Sequence, residues 1–201
     1  MNSWDSVRYI LAILVVACFP PSLLLWLAIH PFAAFWRQVG PVWTYAILGL
    51  PVAGYIVGVW LFRKTLLVLD LGSNVFTMVL AGIALGTAVL LKRSVVRQLR
   101  FARLAGIPEL SKEKYPGKLL TEGIYSRVRN PRYIEALLWV MAYALFANYL
   151  GAYIVVALSL PLIYFVVRLE ERELRERFGA AYEEYCRRVP RFVPKPRTRN
   201  D

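Results

Sequence analysis

Five apolar stretches, each near the length of a bilayer crossing, constrain this 201-residue chain more than anything else in it. A helical span needs about 20 mostly apolar residues at 1.5 Å rise each. The stretches run from about Tyr9 to Ile29, Val42 to Phe62, Val75 to Leu91, Tyr133 to Tyr149 and Ala152 to Val167. The first is too long and too poorly flanked for a cleavable signal. The fourth and fifth are parted only by Asn148-Tyr149-Leu150-Gly151, so they read as a tight helical hairpin. The expected architecture is an all-α polytopic membrane bundle of five transmembrane helices, the last two as that hairpin. Cytoplasmic amphipathic and C-terminal helices complete it. We divide it into a two-span region, 1–73, and a core of three spans, loop and tail, 74–201.

Composition supports this reading and excludes others. Hydrophobic residues make up 58% and charged residues 19%, an imbalance opposite to that of a disordered chain. Two cysteines cannot build a disulfide scaffold, and a single histidine, His30, offers no metal cage, so no metal is expected. The net charge of +12 does not suggest nucleic acid, because it flanks the spans. Of 25 Lys and Arg, 11 lie between Lys92 and Arg132 and 10 between Arg168 and Arg199. By the positive-inside rule both stretches are cytoplasmic, which puts the N-terminus outside and the C-terminus inside. Arg63 and Lys64 oppose that orientation and are outweighed.

Local patterns refine the expectation. Gly54 with Gly58, and Gly82 with Gly86, predict two small-residue faces for close helix packing. Lys92 to Leu104 reads as an interfacial amphipathic helix, followed by a loop punctuated by Gly106, Pro108, Pro116 and Gly117. Pro131 suits the first turn of a helix, with Asn130 as its cap. Polar groups thus gather where backbone N–H groups leave a helix start, an anion-friendly corner at the membrane surface. The fifth span should continue to Phe178-Gly179, where glycine can end it. Four-residue spacing puts Glu170 on the inward face with Leu174 and Phe178. From spacing alone, Glu170 and Glu171 pair with Arg168, Arg172 or Arg175 on a solvated face. The functional alternative is a carboxylate just below the bilayer awaiting a ligand. Glu135, one turn inside a span, is expected to snorkel, to pair with Arg132 or to act on a ligand. A short helix from Ala180 to Arg188 should present Tyr182 and Tyr185 on one face.

Gly123-x-Tyr125-x-x-x-Arg129-Asn130-Pro131-x-Tyr133, then a hairpin, then Glu170-Glu171-x-x-Leu174 resembles the isoprenylcysteine carboxyl methyltransferase family. Phe178-Gly179-x-x-Tyr182-x-x-Tyr185 and Val189-Pro190-Arg191 continue the match, which extends to the phospholipid methyltransferases and covers roughly Leu80 to Pro194. The resemblance implies S-adenosylmethionine as cofactor and a lipophilic methyl acceptor reached from the bilayer, a prenylated cysteine or a lipid. It implies cofactor binding by Tyr125, Arg129, Asn130, Pro131, Tyr133, Glu170, Glu171, Tyr182 and Tyr185. The tail, with Arg187 and Arg191, would close over the site. Acceptor-side residues would be Glu135, Trp139 and Arg191. The family often has His at the position of Asn130 and a small residue at that of Glu135. The candidate catalytic groups are Arg129, Glu171 and Arg188. A carboxylate acceptor needs an arginine to orient it, Arg129 or Arg188, whereas an amine acceptor needs a proton acceptor, Glu171 or Glu135. On this reading, Glu170→Gln or Arg129→Ala weakens cofactor binding and leaves the protein folded.

Two other readings compete. Sterol reductases, which use NADPH, share an Arg-x-Pro-x-Tyr segment and a Tyr-Cys…Val-Pro ending, matched here by Tyr185-Cys186 and Val189-Pro190. A non-enzymatic scaffold holding anionic lipid explains the charge and leaves the 123–133 segment without a purpose.

Overall fold

The computed structural model describes residues 2–97 and 119–194. Seven α-helices and two 3-10 turns occur among these residues, and no strand. Helix α1 (Ser3–Ile29) leads through the turn His30–Phe32 into short α2 (Ala33–Val39). Then come α3 (Pro41–Leu66) and α4 (Val75–Val96). The turn Gly123–Ser126 precedes α5 (Pro131–Ala147), α6 (Leu150–Phe178) and α7 (Ala180–Arg188). Four segments are long and apolar enough to cross a membrane: Ser3–Phe32, Pro41–Leu66, Val75–Val96 and Leu150–Phe178. The remaining expected span, α5, has 17 residues. That is about 25 Å, short of a hydrocarbon core of about 30 Å.

The core is built where small residues let helices approach. Ala12, Val15 and Val16 of α1 meet Val140, Ala144 and Ala147 of α5 and Ala152 and Val156 of α6. Helix α4 lies along α5 and buries Ala81, Ala88 and Val95, seven residues apart, the spacing of a coiled-coil seam. Helix α3 is peripheral. It buries only Thr44 and Val59, and the Tyr55 hydroxyl donates to the Val16 carbonyl at 2.8 Å.

The glycine pairs do not do what their spacing predicts. A Cβ placed at Gly54, Gly58, Gly82 or Gly86 would meet nothing within 4 Å, so all four face away from the bundle. Alanines supply the close approach on α4 instead. The glycine that does permit one is Gly151, where a Cβ would lie 2.2 Å from the Leu66 carbonyl oxygen. The first turn of α6 therefore abuts the end of α3.

The hairpin is as tight as its sequence implies. Asn148 takes a left-handed conformation (φ 56°) that ends α5, and α6 begins two residues later. The loop after α3 runs antiparallel to this turn. The Leu71 N–H donates to the Asn148 carbonyl at 3.0 Å and the Leu150 N–H to the Leu69 carbonyl at 3.1 Å. Asn148 Nδ2 donates to the Gly72 carbonyl, and the Tyr153 hydroxyl to Asn148 Oδ1, both at 2.8 Å. Arg8 of α1 completes the knot while only 2% exposed. It pairs with Asp70 and donates through Nε to the Ala147 carbonyl at 3.0 Å.

At the other end, α6 runs to Phe178 and Gly179 turns the chain at φ 53° into α7, as expected. The expected interfacial helix is corrected in part: its residues through Val96 belong to α4. The rest of that stretch, and the loop through Gly106, Pro108, Pro116 and Gly117, lie outside the described residues.

Candidate functional site

The two adjacent glutamates of α6 meet different fates. Glu171 is completely buried (0% exposed), whereas Glu170, which the spacing puts on the inward face, is half-buried against Tyr133 of α5. Its Oε1 accepts from Arg129 Nε at 3.2 Å and Asn130 Nδ2 at 3.0 Å. Arg191 Nε lies 3.1 Å from both carboxylate oxygens, and Arg191 Nη2 donates to Oε2 at 2.7 Å. A buried carboxylate is tolerable only when paired and hydrogen-bonded, and this one is held by two guanidiniums and an amide. The expectation that both glutamates pair with arginines of their own helix on a solvated face is corrected: Glu170 bonds to Tyr133 of α5, and Glu171 is buried in this clasp. Its partners lie 42, 41 and 20 residues away in sequence.

The clasp closes the tail onto the segment before α5. Arg129 Nη1 donates to the carbonyls of Cys186 (3.0 Å) and Val189 (3.2 Å). The Arg129 N–H reaches the Pro190 carbonyl at 2.9 Å, and the Asn130 N–H the Arg191 carbonyl at 3.3 Å. Asn130 is therefore not the side-chain cap of α5. Its amide is spent on Glu171 and the Arg191 carbonyl. Pro131 does occupy the first turn. The hydrogen bonds that Arg191 donates to Glu171 hold its guanidinium above its ordinary pKa against the opposing effect of burial.

Tyr182 and Tyr185 form the tail's own apolar cluster with Val189, against Leu119, Leu174 and Phe178. The Tyr185 hydroxyl donates to the Tyr125 carbonyl at 2.6 Å, so it anchors the 3-10 turn from behind. Burial pushes both phenols well above their usual range.

Glu170 is half-buried and takes a different partner. The Tyr133 hydroxyl donates to its Oε2 at 2.6 Å. The Arg132 guanidinium carbon lies 5.4 Å from the Tyr133 ring centroid and 5.1 Å from that of Trp26 on α1. Tyr125 completes the group. Burial raises its phenol to about 12, with Arg132 opposing the rise and Glu170 adding to it. An acid, a base and three aromatic rings therefore converge where α5, α6 and α1 meet. Beneath them, Tyr133 packs with Leu23, Ile163, Val166 and Val167.

The remaining sequence-derived residues lie apart from this group. Arg188 is 69% exposed on α7 and pairs with Glu184 at 3.4 Å, beside Arg187 on the same acid. Glu135 is buried, and its partner is Lys92 of α4 at 3.4 Å rather than Arg132. Trp139, one turn further along α5, buries its Nε1 without a hydrogen-bond partner. Among the described residues no cluster suited to a metal ion occurs.

Sequence reasoning missed Arg132, Trp26, His30, Arg37 and Glu173. Trp26 stacks on His30 (5.2 Å, 25° between planes), and His30 Nδ1 lies 3.2 Å from Glu173 Oε2. Arg37 of α2 donates to Glu173 Oε1 at 2.7 Å. For Arg132 the available signal was a charge in the first turn beside the tyrosine. For Trp26 no local signal existed, because its partner is more than 100 residues away.

The sequence pattern of phospholipid methyltransferases matches residues 76–181, just over half of the chain. The chain belongs to that family. The matched region takes in α4, α5, α6 and both glutamates, and leaves out α1 to α3 and most of the tail. Relatives agree in part. The cobalt-zinc-cadmium resistance protein CzcN of Cupriavidus metallidurans is 37% identical over 78 residues, 38% of this chain and 36% of its own length. Protein-S-isoprenylcysteine O-methyltransferase B of Arabidopsis thaliana is 35% identical over 78 residues, 38% of this chain and 40% of its own. A Delta(14)-sterol reductase of Mus musculus is 31% identical over 81 residues, 38% of this chain and 19% of its own. The aligned stretch thus covers well under half the length of these curated relatives. Family membership and the apolar helices together make this an integral membrane protein.

Proposed function

We propose that this chain transfers a methyl group from S-adenosylmethionine to a lipophilic acceptor, an isoprenylcysteine-type carboxylate, at the cytoplasmic membrane face. The observation that carries the reading is the half-buried Glu170, held by Tyr133 beside Arg132 and Tyr125 within the region that matches the family. The donor carries a sulfonium, an ammonium and a carboxylate. A carboxylate, a guanidinium and aromatic faces form a donor set that fits all three charges. S-adenosylmethionine supplies an electrophilic methyl group when bound. Glu170 takes the cationic part of the donor, while Tyr125 and Tyr133 shield it from water. The Glu171 clasp has a separate role: Arg129, Asn130 and Arg191, with Tyr182 and Tyr185 behind, hold the tail so that the pocket keeps its shape. Arg188, exposed on α7, lies apart from the reacting atoms.

A carboxylate acceptor is favoured over an amine. Methyl transfer to an anion needs orientation and desolvation and no proton acceptor. An amine must lose a proton, and both candidate acceptors are engaged: Glu171 has both oxygens committed to guanidiniums, and Glu135 is paired with Lys92. Two relatives named as isoprenylcysteine O-methyltransferases, from Arabidopsis thaliana and Schizosaccharomyces pombe, support the choice. We assign Glu135 and Trp139 to the acceptor side, Trp139 offering a buried N–H donor that lacks an acceptor. Residues 1–73 and 74–201 act as support and core. The two basic stretches support a cytoplasmic site, with the N-terminus outside and the C-terminus inside.

The test is calorimetric titration of purified protein in detergent with S-adenosylhomocysteine, beside NADPH. Saturable binding of the first alone is expected. Binding of NADPH alone would replace the reading with that of a sterol-reductase-like enzyme. Binding of neither by folded protein would favour a scaffold.

A further inference from the structure

The N-terminal region is outside the family match, yet one of its side chains reaches the donor group. We propose that Trp26 of α1 is a positioning residue for the amino-acid end of the donor: it holds Arg132 so that Arg132 takes the carboxylate while Glu170 takes the ammonium. This rests on the donor assignment above and deepens it.

Three observations carry the inference. First, Arg132 contacts two rings from different helices, at 5.1 Å from the centroid of Trp26 and 5.4 Å from that of Tyr133. Both distances are within the range of cation–π attraction, so the planar guanidinium has a defined seat. Second, the Tyr133 ring that helps seat Arg132 carries the hydroxyl bonded to Glu170. One tyrosine therefore sets the spacing of a cation and an anion, which is what an α-amino acid zwitterion requires. Arg132 also lies in the first turn of a 17-residue helix that lacks a side-chain cap. The positive end of that helix adds to the attraction for a carboxylate.

Third, Trp26 is itself braced toward the site. Its indole stacks on His30, His30 meets Glu173, and Glu173 takes Arg37. Glu173 follows Glu170 by three residues on α6, so the brace returns to the helix that presents the acid. Leu23, three residues before Trp26, is buried in the cluster with Tyr133, and Leu27 packs against that cluster. The face of α1 and the start of α5 thus form one packed unit.

The experiment compares two ligands on the full-length protein in detergent: S-adenosylhomocysteine and 5′-methylthioadenosine, which lacks the amino-acid end. Trp26→Leu should weaken binding of the first about tenfold and of the second less than about twofold. Trp26→Phe retains a ring face and should recover most of the loss. Arg132→Gln should reproduce the Leu pattern, and it carries the test should Trp26→Leu fail to fold. Equal weakening of both ligands by these variants would mean general loss of packing and would overturn the proposal, as would unchanged affinity for both. Wild-type protein that is folded and binds neither ligand would overturn the donor assignment itself. That outcome is distinguishable, because it precedes any effect of the variants.

Discussion

The bundle carries a buried charge at each end, and the two are built in opposite senses. At one end Arg8, an arginine 2% exposed, is matched by the partly exposed Asp70, the Ala147 carbonyl and the Tyr149 ring. At the other, the fully buried acid Glu171 is gripped by Arg129 and Arg191. The Arg8 knot joins α1, the loop after α3 and the hairpin turn, and its polar groups satisfy one another. The Glu171 clasp is equally saturated, but next to it Glu170, Arg132 and Tyr125 gather around the buried Tyr133 and keep partial exposure. The difference teaches where chemistry can occur. A saturated knot holds helices together, and a site needs polar groups that are positioned by such a knot without being consumed by it.

The sharpest way to break this comparison is Glu171→Gln. It leaves two guanidiniums without their anion in a buried place and should cost about 3–5 kcal/mol. Denaturant unfolding in micelles checks it, together with faster proteolysis of the tail after Arg187 and Arg191. A stability within about 0.5 kcal/mol of wild type would show that the clasp does not hold the tail. Arg129→Ala belongs with Glu171 on these grounds. The sequence reading grouped it with Glu170 as a substitution that spares the fold, and the clasp argues otherwise.

Arg8→Met should cost less, about 1–3 kcal/mol, because water can reach the exposed part of Asp70. The same end predicts a pH effect. Burial of Asp70 opposes its ionisation, but hydrogen bonds from Arg8 and the Gly72 N–H outweigh it and hold the carboxyl below the ordinary range. A group depressed in the folded state contributes stability above its unfolded pKa and loses it as pH falls through the folded value. The stability gap between wild type and Asp70→Asn should therefore be full at neutral pH. It should shrink once the pH drops below about 4. A gap that persists unchanged at pH 3 would dissociate Asp70 from the knot.

Glu170→Gln should have the smallest effect on stability, within about 0.5 kcal/mol. It should still weaken S-adenosylhomocysteine binding about tenfold. Stability loss comparable to that of Glu171→Gln would erase the distinction between clasp and site.

Much of this molecule was legible in the sequence. Apolar runs of bilayer length fall inside α1, α3, α4 and α6, which extend beyond them by up to 11 residues at the polar end of α6, because the apolarity of a run is a local property and the end of its helix is not. Asn148 and Gly179 announce chain reversals for the same reason, since their conformational freedom travels with the residue. The family motif, from Gly123 to Tyr133 and at Glu170-Glu171, was equally readable. Partner choice was not. Which of two neighbouring glutamates is fully buried depends on the rotation of α6 against α5, and only packing decides that angle. Arg191 reaches Glu171 across 20 residues, and Trp26 meets Arg132 across more than 100, so no spacing rule could join them. The glycine pairs teach the converse: their spacing suits close packing, but alanines of α4 line its buried seam instead. The sequence by itself determined a helical membrane chain of this family, because hydrophobicity and local conformation are carried by each residue. Tertiary structure alone decided which charges hold the tail, around Glu171, and which gather with Tyr133, around Glu170, because that depends on distances between helices.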